Sequence, residues 1–277
     1  MKWLDELSKR MYDISEKPIL TSTIVLVFVT IIVVSISMPY YLNEFHTFFA
    51  QVLAEAHGMI FDILIIGILI FWLNKTGEKR SRIRTYKDEI DDFRLWESEE
   101  AAFRTVGNIK RLNRHKLYNI NLAHSYLVKT NLNYVKLIGA NLNYANLFNS
   151  AMIDVDLENA RLNQTNFENC NMNQSNFTKA YANGAIFKDA YLIKANFEKA
   201  FLIKADFNNA FLMEANLQGA YLTGADFTNA NLYKADLRGA RGLGIEALAN
   251  ARTLYLAKFD DEVAQTMLQE FPELVGK

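Results

Sequence analysis

The chain has 277 residues, a formal net charge of −1 and one cysteine. The balanced charge argues against a nucleic-acid-binding polycation, and a single cysteine excludes a disulfide framework within the chain. Only three prolines occur, which indicates long stretches of regular structure rather than a loop-rich enzyme.

Two apolar segments near the N-terminus are predicted to cross a membrane. Residues 18–43 carry no charge and exceed the roughly 20 helical residues that span a hydrocarbon core. They are predicted as transmembrane helix 1, preceded by an amphipathic segment at residues 1–17. No small-residue cleavage motif closes the run, so it is interpreted as a retained anchor rather than a signal peptide. Residues 54–73 are predicted as transmembrane helix 2, which forms a helical hairpin with the first.

The distribution of basic residues predicts the orientation of this hairpin. The connection between the two spans has no Lys or Arg, whereas basic residues directly follow the second span: Lys75, Lys79, Arg80, Arg82 and Arg84. By the positive-inside rule, both ends of the hairpin lie in the cytoplasm. The predicted localisation is therefore the bacterial inner membrane, with both termini cytoplasmic and the lipid bilayer as a partner.

Glu55, His57 and Asp62 are ionisable residues in or at the edge of the second span. At about 1.5 Å per residue, Asp62 lies about 12 Å below the start of the span at Ala54, where an unpaired carboxylate is costly. One interpretation is that Asp62 is protonated or bonded to hydroxyl groups of the first span (Thr30, Ser35 or Ser37) and only fixes the hairpin. The other is that several hairpins assemble, so that Asp62 and Glu55, on one helical face, line a cation-attracting pore. His57 does not share that face and is interpreted as an interfacial residue.

Residues 74–114 are predicted as a helical linker and N-terminal cap. Their apolar residues recur at intervals of three and four, which is typical of amphipathic helices. Ser98 followed by acidic residues is an N-cap signal, so one helix is predicted to end near Glu97 and another to run from 99 to about 113. The second of these helices is positioned to cover the first coil of the repeat that follows.

From Leu117 to Leu237, a large apolar residue recurs at every fifth position without insertion, with Ala182 as the departure, and from Ala140 onward a small residue stands two positions before it. Residues five positions apart do not lie on one face of a straight helix or of a strand. They can all be buried only if the chain turns a corner once in each pentad. The large and the small residue of each pentad then point inward. Cys170 takes one of the small positions and is interpreted as a buried filler, not as a redox or metal residue.

The pentads "ANFEK", "ADFNN", "ANLQG" and "ADLRG" resemble the A(D/N)LXX pattern of the pentapeptide repeat family. The resemblance covers residues 115–241 and implies a right-handed quadrilateral β-helix, a solenoid with four pentads per coil. Aromatic residues at positions 181, 201 and 221 agree with a coil of 20 residues. Residues 242–277 are predicted as a C-terminal cap, with a short helix, a covering strand around 254–259 and a helix from 261 to about 270. The predicted fold class is thus an α-helical transmembrane hairpin followed by a capped β-helix.

Counting pentads sorts the outward residues onto four faces, two of which carry apolar residues. These residues are one set at Tyr191, Ile193, Phe211, Met213 and Tyr233, and an opposite set at Tyr181, Phe201, Ile203 and Tyr221. One interpretation is a ladder of aromatic rings that satisfy one another. The favoured interpretation is an association surface, for a second copy or for another protein, because contiguous exposed apolar patches mark contact sites.

No catalytic constellation, phosphate-binding glycine loop or metal-ligand spacing occurs, so no enzyme activity, cofactor or metal is expected. The leading prediction is a membrane-anchored interaction module that self-associates through its β-helix or its hairpin, or binds a protein partner. The alternative is an oligomeric ion channel or membrane-disrupting effector, for example in bacterial defence. A DNA-mimicking gyrase inhibitor, which the resemblance also suggests, is disfavoured because residues 115–241 contain 12 basic and 10 acidic residues. No nucleic-acid partner is expected.

Overall fold

The computed structural model describes residues 45–276, together with residues 27, 28, 30–32, 34, 35 and 38, which are helical. The predicted N-terminal segment and most of the predicted first span therefore lie outside the described residues. The chain divides into two compact units, Met1–Gly77 and Glu78–Lys277.

Helix α1 is a single continuous helix, Phe45–Phe93. Its part from Gln51 onward is long and apolar enough to cross a membrane, and its most apolar stretch is not buried. Among the described residues this is the one helix that qualifies, and it does so by length and composition alone. The two-helix hairpin is therefore not confirmed.

The bounds of α1 differ from the predicted span at 54–73 and from the predicted linker. The helix begins at Phe45, inside the stretch predicted to connect two spans, and it continues past Leu73 without interruption. No proline interrupts residues 45–93, so nothing in this segment forces a helix to end. Charged pairs one turn apart, Glu78 with Arg82 and Arg84 with Asp88, support the polar half of the helix.

Helix α2, Glu99–Arg114, caps the N-terminal end of the solenoid. The Ser98 Oγ accepts a hydrogen bond of 3.2 Å from the Ala101 N–H, and Glu99 and Glu100 complement the positive end of the helix dipole. The buried face of α2 carries Val106, Ile109 and Leu112, which join the solenoid core.

The solenoid consists of pentads in which one residue forms a parallel β-bridge and the following residues turn the chain. Each bridge joins residues 20 positions apart, as in Asn121 with Asn141 and Tyr221 with Arg241, so four pentads make one coil. The described residues form isolated bridges rather than extended strands, because the other residues of each pentad form the turn at the corner. The predicted inward pair and corner are thus present, and each flat side is reduced to a single bridged residue.

Each corner is a hydrogen-bonded turn with a left-handed third residue. The Ser125 N–H donates to the Leu122 carbonyl at 3.1 Å, and the same bond recurs in later pentads. The third residue of these turns has φ between 54° and 69°, as at His124, Lys199 and Gly224. A positive φ at the third residue is a property of type II turns, which favour Gly or Asn there.

The core is a column of large side chains enclosed by the four sides. Rings of Phe167, Phe187, Phe207 and Phe227 stack with centroids 5.2, 4.9 and 5.2 Å apart. Phe177 and Phe197 stack at 4.6 Å and contact the first column edge to face. Ala182, which departs from the large residues at this position, is also buried. The core is therefore continuous from the first coil to the last.

Side chains of the flanking segments cover part of each end of the solenoid. At the N-terminal end, the Asn113 side chain donates to the Lys136 carbonyl at 2.9 Å and accepts from its N–H at 2.7 Å, as a peptide group of another coil would do. At the C-terminal end, the Asp260 carboxylate accepts from the Gly239 N–H at 3.0 and 3.1 Å. Thr253 and Lys258 form the last bridges, followed by helices α4, Asp261–Glu270, and α5, Pro272–Val275, after the short helix α3, Ile245–Ala249.

Candidate interaction surface

The polar faces of the solenoid are explained by backbone hydrogen bonding. The residue before each core centre is often Asn or Asp, and its side-chain oxygen accepts from the N–H two residues later. Examples are Asn146 with Phe148 at 3.1 Å and Asp206 with Asn208 at 2.8 Å. These Asx-turns provide an acceptor for a backbone N–H that forms no hydrogen bond to a neighbouring coil. The Asn and Asp residues are therefore structural and do not by themselves indicate a binding site.

Three of the aromatic positions, Tyr181, Tyr191 and Phe201, meet this requirement through asparagines one coil earlier. Asn163 accepts from the Asn183 N–H at 3.1 Å, and Asn183 accepts from the Ile203 N–H at 3.1 Å. On the opposite side, Asn173 accepts from the Ile193 N–H at 2.9 Å. Because these asparagines supply the acceptor, the neighbouring bridged position is free to carry Tyr or Phe. The prediction from sequence missed this role, although the 20-residue recurrence of Asn163 and Asn183 was visible.

The Tyr181 row consists of Tyr181, Phe201 and Tyr221 stacked along the solenoid. Their ring centroids are 4.9 and 4.6 Å apart, and their planes deviate by 2° and 5°. The Arg241 guanidinium lies 5.1 Å from the centroid of Tyr221 and donates to its hydroxyl at 2.9 Å. Tyr181 is 45% exposed, and Ile203 beside the row is also exposed. The row presents ring edges and two phenol groups outward.

The Tyr191 row consists of Tyr191 and Phe211, with ring centroids 4.8 Å apart and planes within 6°. Ile193 and Met213 lie half-buried next to it. Tyr233 belongs instead with the C-terminal cap, because its ring packs against Tyr255 at 5.8 Å. The structure therefore assembles the predicted site residues as two separate rows. The rows lie on opposite sides of the coil, two pentads apart in a coil of four.

The stacking within the rows limits what they can bind. Each interior ring face is covered by the next ring, so a flat base cannot stack there as it does on the aromatic platforms of single-strand-binding proteins. The accessible atoms are ring edges and aliphatic groups. Such a surface suits an apolar protein face, where tyrosine is a common contact residue.

Glu55, His57 and Asp62 of α1 are exposed. Asp62 and Glu55 share a helical face, because seven residues are close to two turns. His57 interacts through Nδ1 with the Leu53 carbonyl at 2.6 Å, within its own helix. Of the hydroxyls predicted to face Asp62, the Ser35 hydroxyl donates to the Ile31 carbonyl at 2.8 Å, and Ser37 lies outside the described residues.

Within the described part of the chain, no group of three or more His, Cys, Asp or Glu side chains is arranged to hold a metal ion. Cys170 is buried, and its thiol donates to the Leu147 carbonyl at 2.8 Å. Burial raises the pKa of the Cys170 thiol to about 12, which disfavours the reactive thiolate.

Comparison with known proteins agrees with this architecture. Residues 116–241 match the family described as pentapeptide repeats, in eight copies over 116–152, 151–189, 185–212 and 212–241. No protein of curated function is significantly similar to the chain.

Several solved structures are similar to the repeat region. A pentapeptide repeat protein of the Arabidopsis thaliana thylakoid lumen is 26% identical, covering 41% of this chain and 71% of its own, with a TM-score of 0.31. HetL, a pentapeptide repeat protein involved in heterocyst differentiation regulation in Nostoc sp. strain PCC 7120, is 25% identical, covering 50% and 74%, with a TM-score of 0.24. Rfr23 of Cyanothece 51142 is 24% identical, covering 56% and 98%, with a TM-score of 0.21. The family match supports the predicted pentapeptide repeat fold of residues 116–241.

Proposed function

We propose that this protein is a membrane-anchored, non-enzymatic interaction module that self-associates through the aromatic rows of its solenoid. Pentapeptide repeat proteins are generally interaction or scaffold modules rather than enzymes. The observation that carries the proposal is that Asn163, Asn173 and Asn183 accept hydrogen bonds from backbone amides of the next coil, so that positions 181, 191 and 201 can carry Tyr or Phe on the outside. The apolar part of α1, unburied and long enough to span a bilayer, supports the anchor.

A second copy is the partner that the rows suit best. Stacked rings lie 4.6–4.9 Å apart in both rows, so two copies present ring edges to each other at the same spacing. An isologous contact requires such a self-complementary surface, because each residue of one copy meets the same patch on the other. The Tyr191 row has a mixed border of Lys194 and Glu214, paired at 3.7 Å, so it carries no net charge that would repel a second copy.

Replacing the Tyr191 row is expected to weaken self-association. Buried aromatic contacts are each worth about 2 kcal/mol or more at interface centres, so Tyr191→Ser with Phe211→Ser, which removes two of them, should raise the dissociation constant roughly 700-fold. Sedimentation of the full chain in detergent over a range of concentrations measures this constant. Lys194→Ser with Glu214→Ser is the matched control, because both residues lie beside the row and are exposed. A monomeric native chain, or a row variant that associates as tightly as the native chain, would contradict the proposal.

The exposed face shared by Glu55 and Asp62 favours an ion channel as a second candidate function. An acidic pair on an apolar helix is costly in lipid unless it faces protein or water, and a ring of such pairs would attract cations. The channel would form when several copies gather their helices, and it would serve as an effector in the membrane.

Under this second function, Asp62→Asn is expected to abolish cation flux through liposomes that contain the full chain, because the substitution removes the charge while keeping the shape. His57→Gln, on a different face of the helix, should leave the flux unchanged. Dye-based flux assays at matched protein density distinguish the two variants. The channel is ruled out if the native chain conducts nothing or if Asp62→Asn conducts as well as the native chain.

A further inference from the structure

A cleft of about 270 Å³ lies where the last turns of α1 meet the first coils of the solenoid. Lys87 and Asp91 line it from the helix, and Asn121, Asn141 and Arg161 line it from three successive coils. All of these residues belong to the unit Glu78–Lys277. The cleft is therefore part of one compact body, and it does not depend on how the apolar half of α1 is placed.

The cleft exposes part of the first-coil edge of the solenoid. In later coils the bridged residue donates its N–H to the coil below, as Asn141 does to Ile120 and Arg161 does to Ala140, both at 2.9 Å. Asn121 belongs to the first coil and has no coil below it. In the described residues its N–H donates to no other group, whereas the equivalent edge at Lys136 is covered by the Asn113 side chain.

The cleft also contains two cations without partners. Lys87 and Arg161 form no ion pair, side-chain hydrogen bond or aromatic contact within the described part of the chain. The contrast is Arg241 at the other end of the same ladder of bridged residues, which lies over the Tyr221 ring and bonds to its hydroxyl. Asp91, the acid in the cleft, is already paired with Arg94. The net charge of the cleft is therefore positive. Its unpaired polar groups, the side chains of Lys87 and Arg161 and the N–H of Asn121, are hydrogen-bond donors.

We propose that this cleft binds a small anion that bears a phosphate group. A guanidinium, an ammonium and a backbone N–H are the donors that proteins direct at phosphate oxygens. The volume is near the lower limit for small-molecule sites, which suits one phosphate with a small organic group. The phosphate belongs either to a soluble metabolite or to a lipid headgroup. A bound ligand would contact both α1 and the solenoid, and would thereby couple the helix to the repeat.

The test is a calorimetric titration of the full chain in maltoside detergent with inorganic phosphate. Arg161→Gln and Lys87→Gln should each weaken binding about tenfold or more, since each removes a charge-assisted hydrogen bond. Lys204→Gln and Arg252→Gln, at exposed basic residues elsewhere in the unit, should leave affinity unchanged. Asp91→Asn should strengthen binding, because it removes the acid and releases Arg94. A gain of affinity cannot come from misfolding.

A comparison of bilayer discs separates the two sources of phosphate. If a phosphatidylglycerol headgroup is the occupant, inorganic phosphate should bind more weakly in discs containing phosphatidylglycerol than in phosphatidylcholine discs, at salt high enough to screen the charge of the lipid surface. If a soluble anion is the occupant, the two affinities should be equal, and either result supports the site. The site is refuted if the native chain does not bind phosphate, or if the Arg161 and Lys87 variants bind it as the Lys204 variant does. Neither outcome depends on self-association, so the site and the proposed function fail separately.

Discussion

Phe187→Ala is expected to lower the free energy of unfolding of the solenoid by about 3–5 kcal/mol, the usual cost of truncating a buried Phe. The Phe187 ring is fully buried, and it stacks between Phe167 at 5.2 Å and Phe207 at 4.9 Å. It also contacts Phe177 and Phe197 edge to face at 5.8 and 5.6 Å. Removing it opens a cavity in the middle of the column, where the coils above and below cannot collapse because the ladder holds their spacing.

Chemical unfolding followed by circular dichroism measures this loss. Phe148→Ala is the matched control, because Phe148 is the same residue type on the outside of the same side of the solenoid and is half-buried. Its truncation should cost at least about 1 kcal/mol less, since it leaves no closed cavity. Because each coil contacts mainly its neighbours, the Phe187 variant should also unfold less cooperatively than the native chain. Equal losses in both variants would show that the Phe column is not the main source of stability.

Ile109→Ala is expected to cost about 2–5 kcal/mol and to expose the N-terminal end of the solenoid. Ile109 is fully buried, on the face of α2 that packs against the first coil. Polar contacts reinforce this helix from its other side, because the Asn108 side chain donates to Glu89 at 2.7 Å. When α2 loosens, the peptide groups of the first coil become available to other chains, as on any uncovered sheet edge.

The expected result is a lower unfolding midpoint together with concentration-dependent aggregation, measured by light scattering. Phe103→Ala is the matched control on the same helix, where the side chain is 80% exposed and its loss should change stability by no more than about 0.5 kcal/mol. If Ile109→Ala destabilises without aggregation, α2 contributes packing energy but does not protect the edge. If Phe103→Ala is equally damaging, the assignment of the buried face is wrong.

The fold of the repeat region could be predicted from sequence because the spacing of its buried residues along the chain determines the fold. A large residue every fifth position has one solution that buries all of its members, and the register from Leu117 to Leu237 contains no insertion that would shift it. The 20-residue recurrence of Tyr181, Phe201 and Tyr221 likewise follows from the coil length. The hydrogen bonds that Asn163 and Asn183 accept from the next coil were not predicted, because the residue pattern within one pentad does not indicate which backbone amide a side chain will reach.

The limits of the membrane span stay a prediction, because the limits of an apolar segment need not coincide with the ends of a helix. Glu55 and His57 were interpreted as the edge of a span, and the charged residues after Leu73 as a separate linker. The structure has one helix through both changes of polarity, since backbone hydrogen bonds continue wherever no residue interrupts them. Charged residues indicate where a helix would leave an apolar solvent, but they do not indicate where the helix ends. The cleft at Lys87 and Arg161 was missed because these residues are 74 positions apart in the sequence.

Asn113 and Asp260 have a consequence for how copies of this chain can be arranged. Each occupies, with its own side chain, hydrogen-bonding positions that an additional coil would use. End-to-end stacking of several chains into a fibre would have to displace both side chains. Copies that meet through their solenoids are therefore expected to join flank to flank rather than end to end.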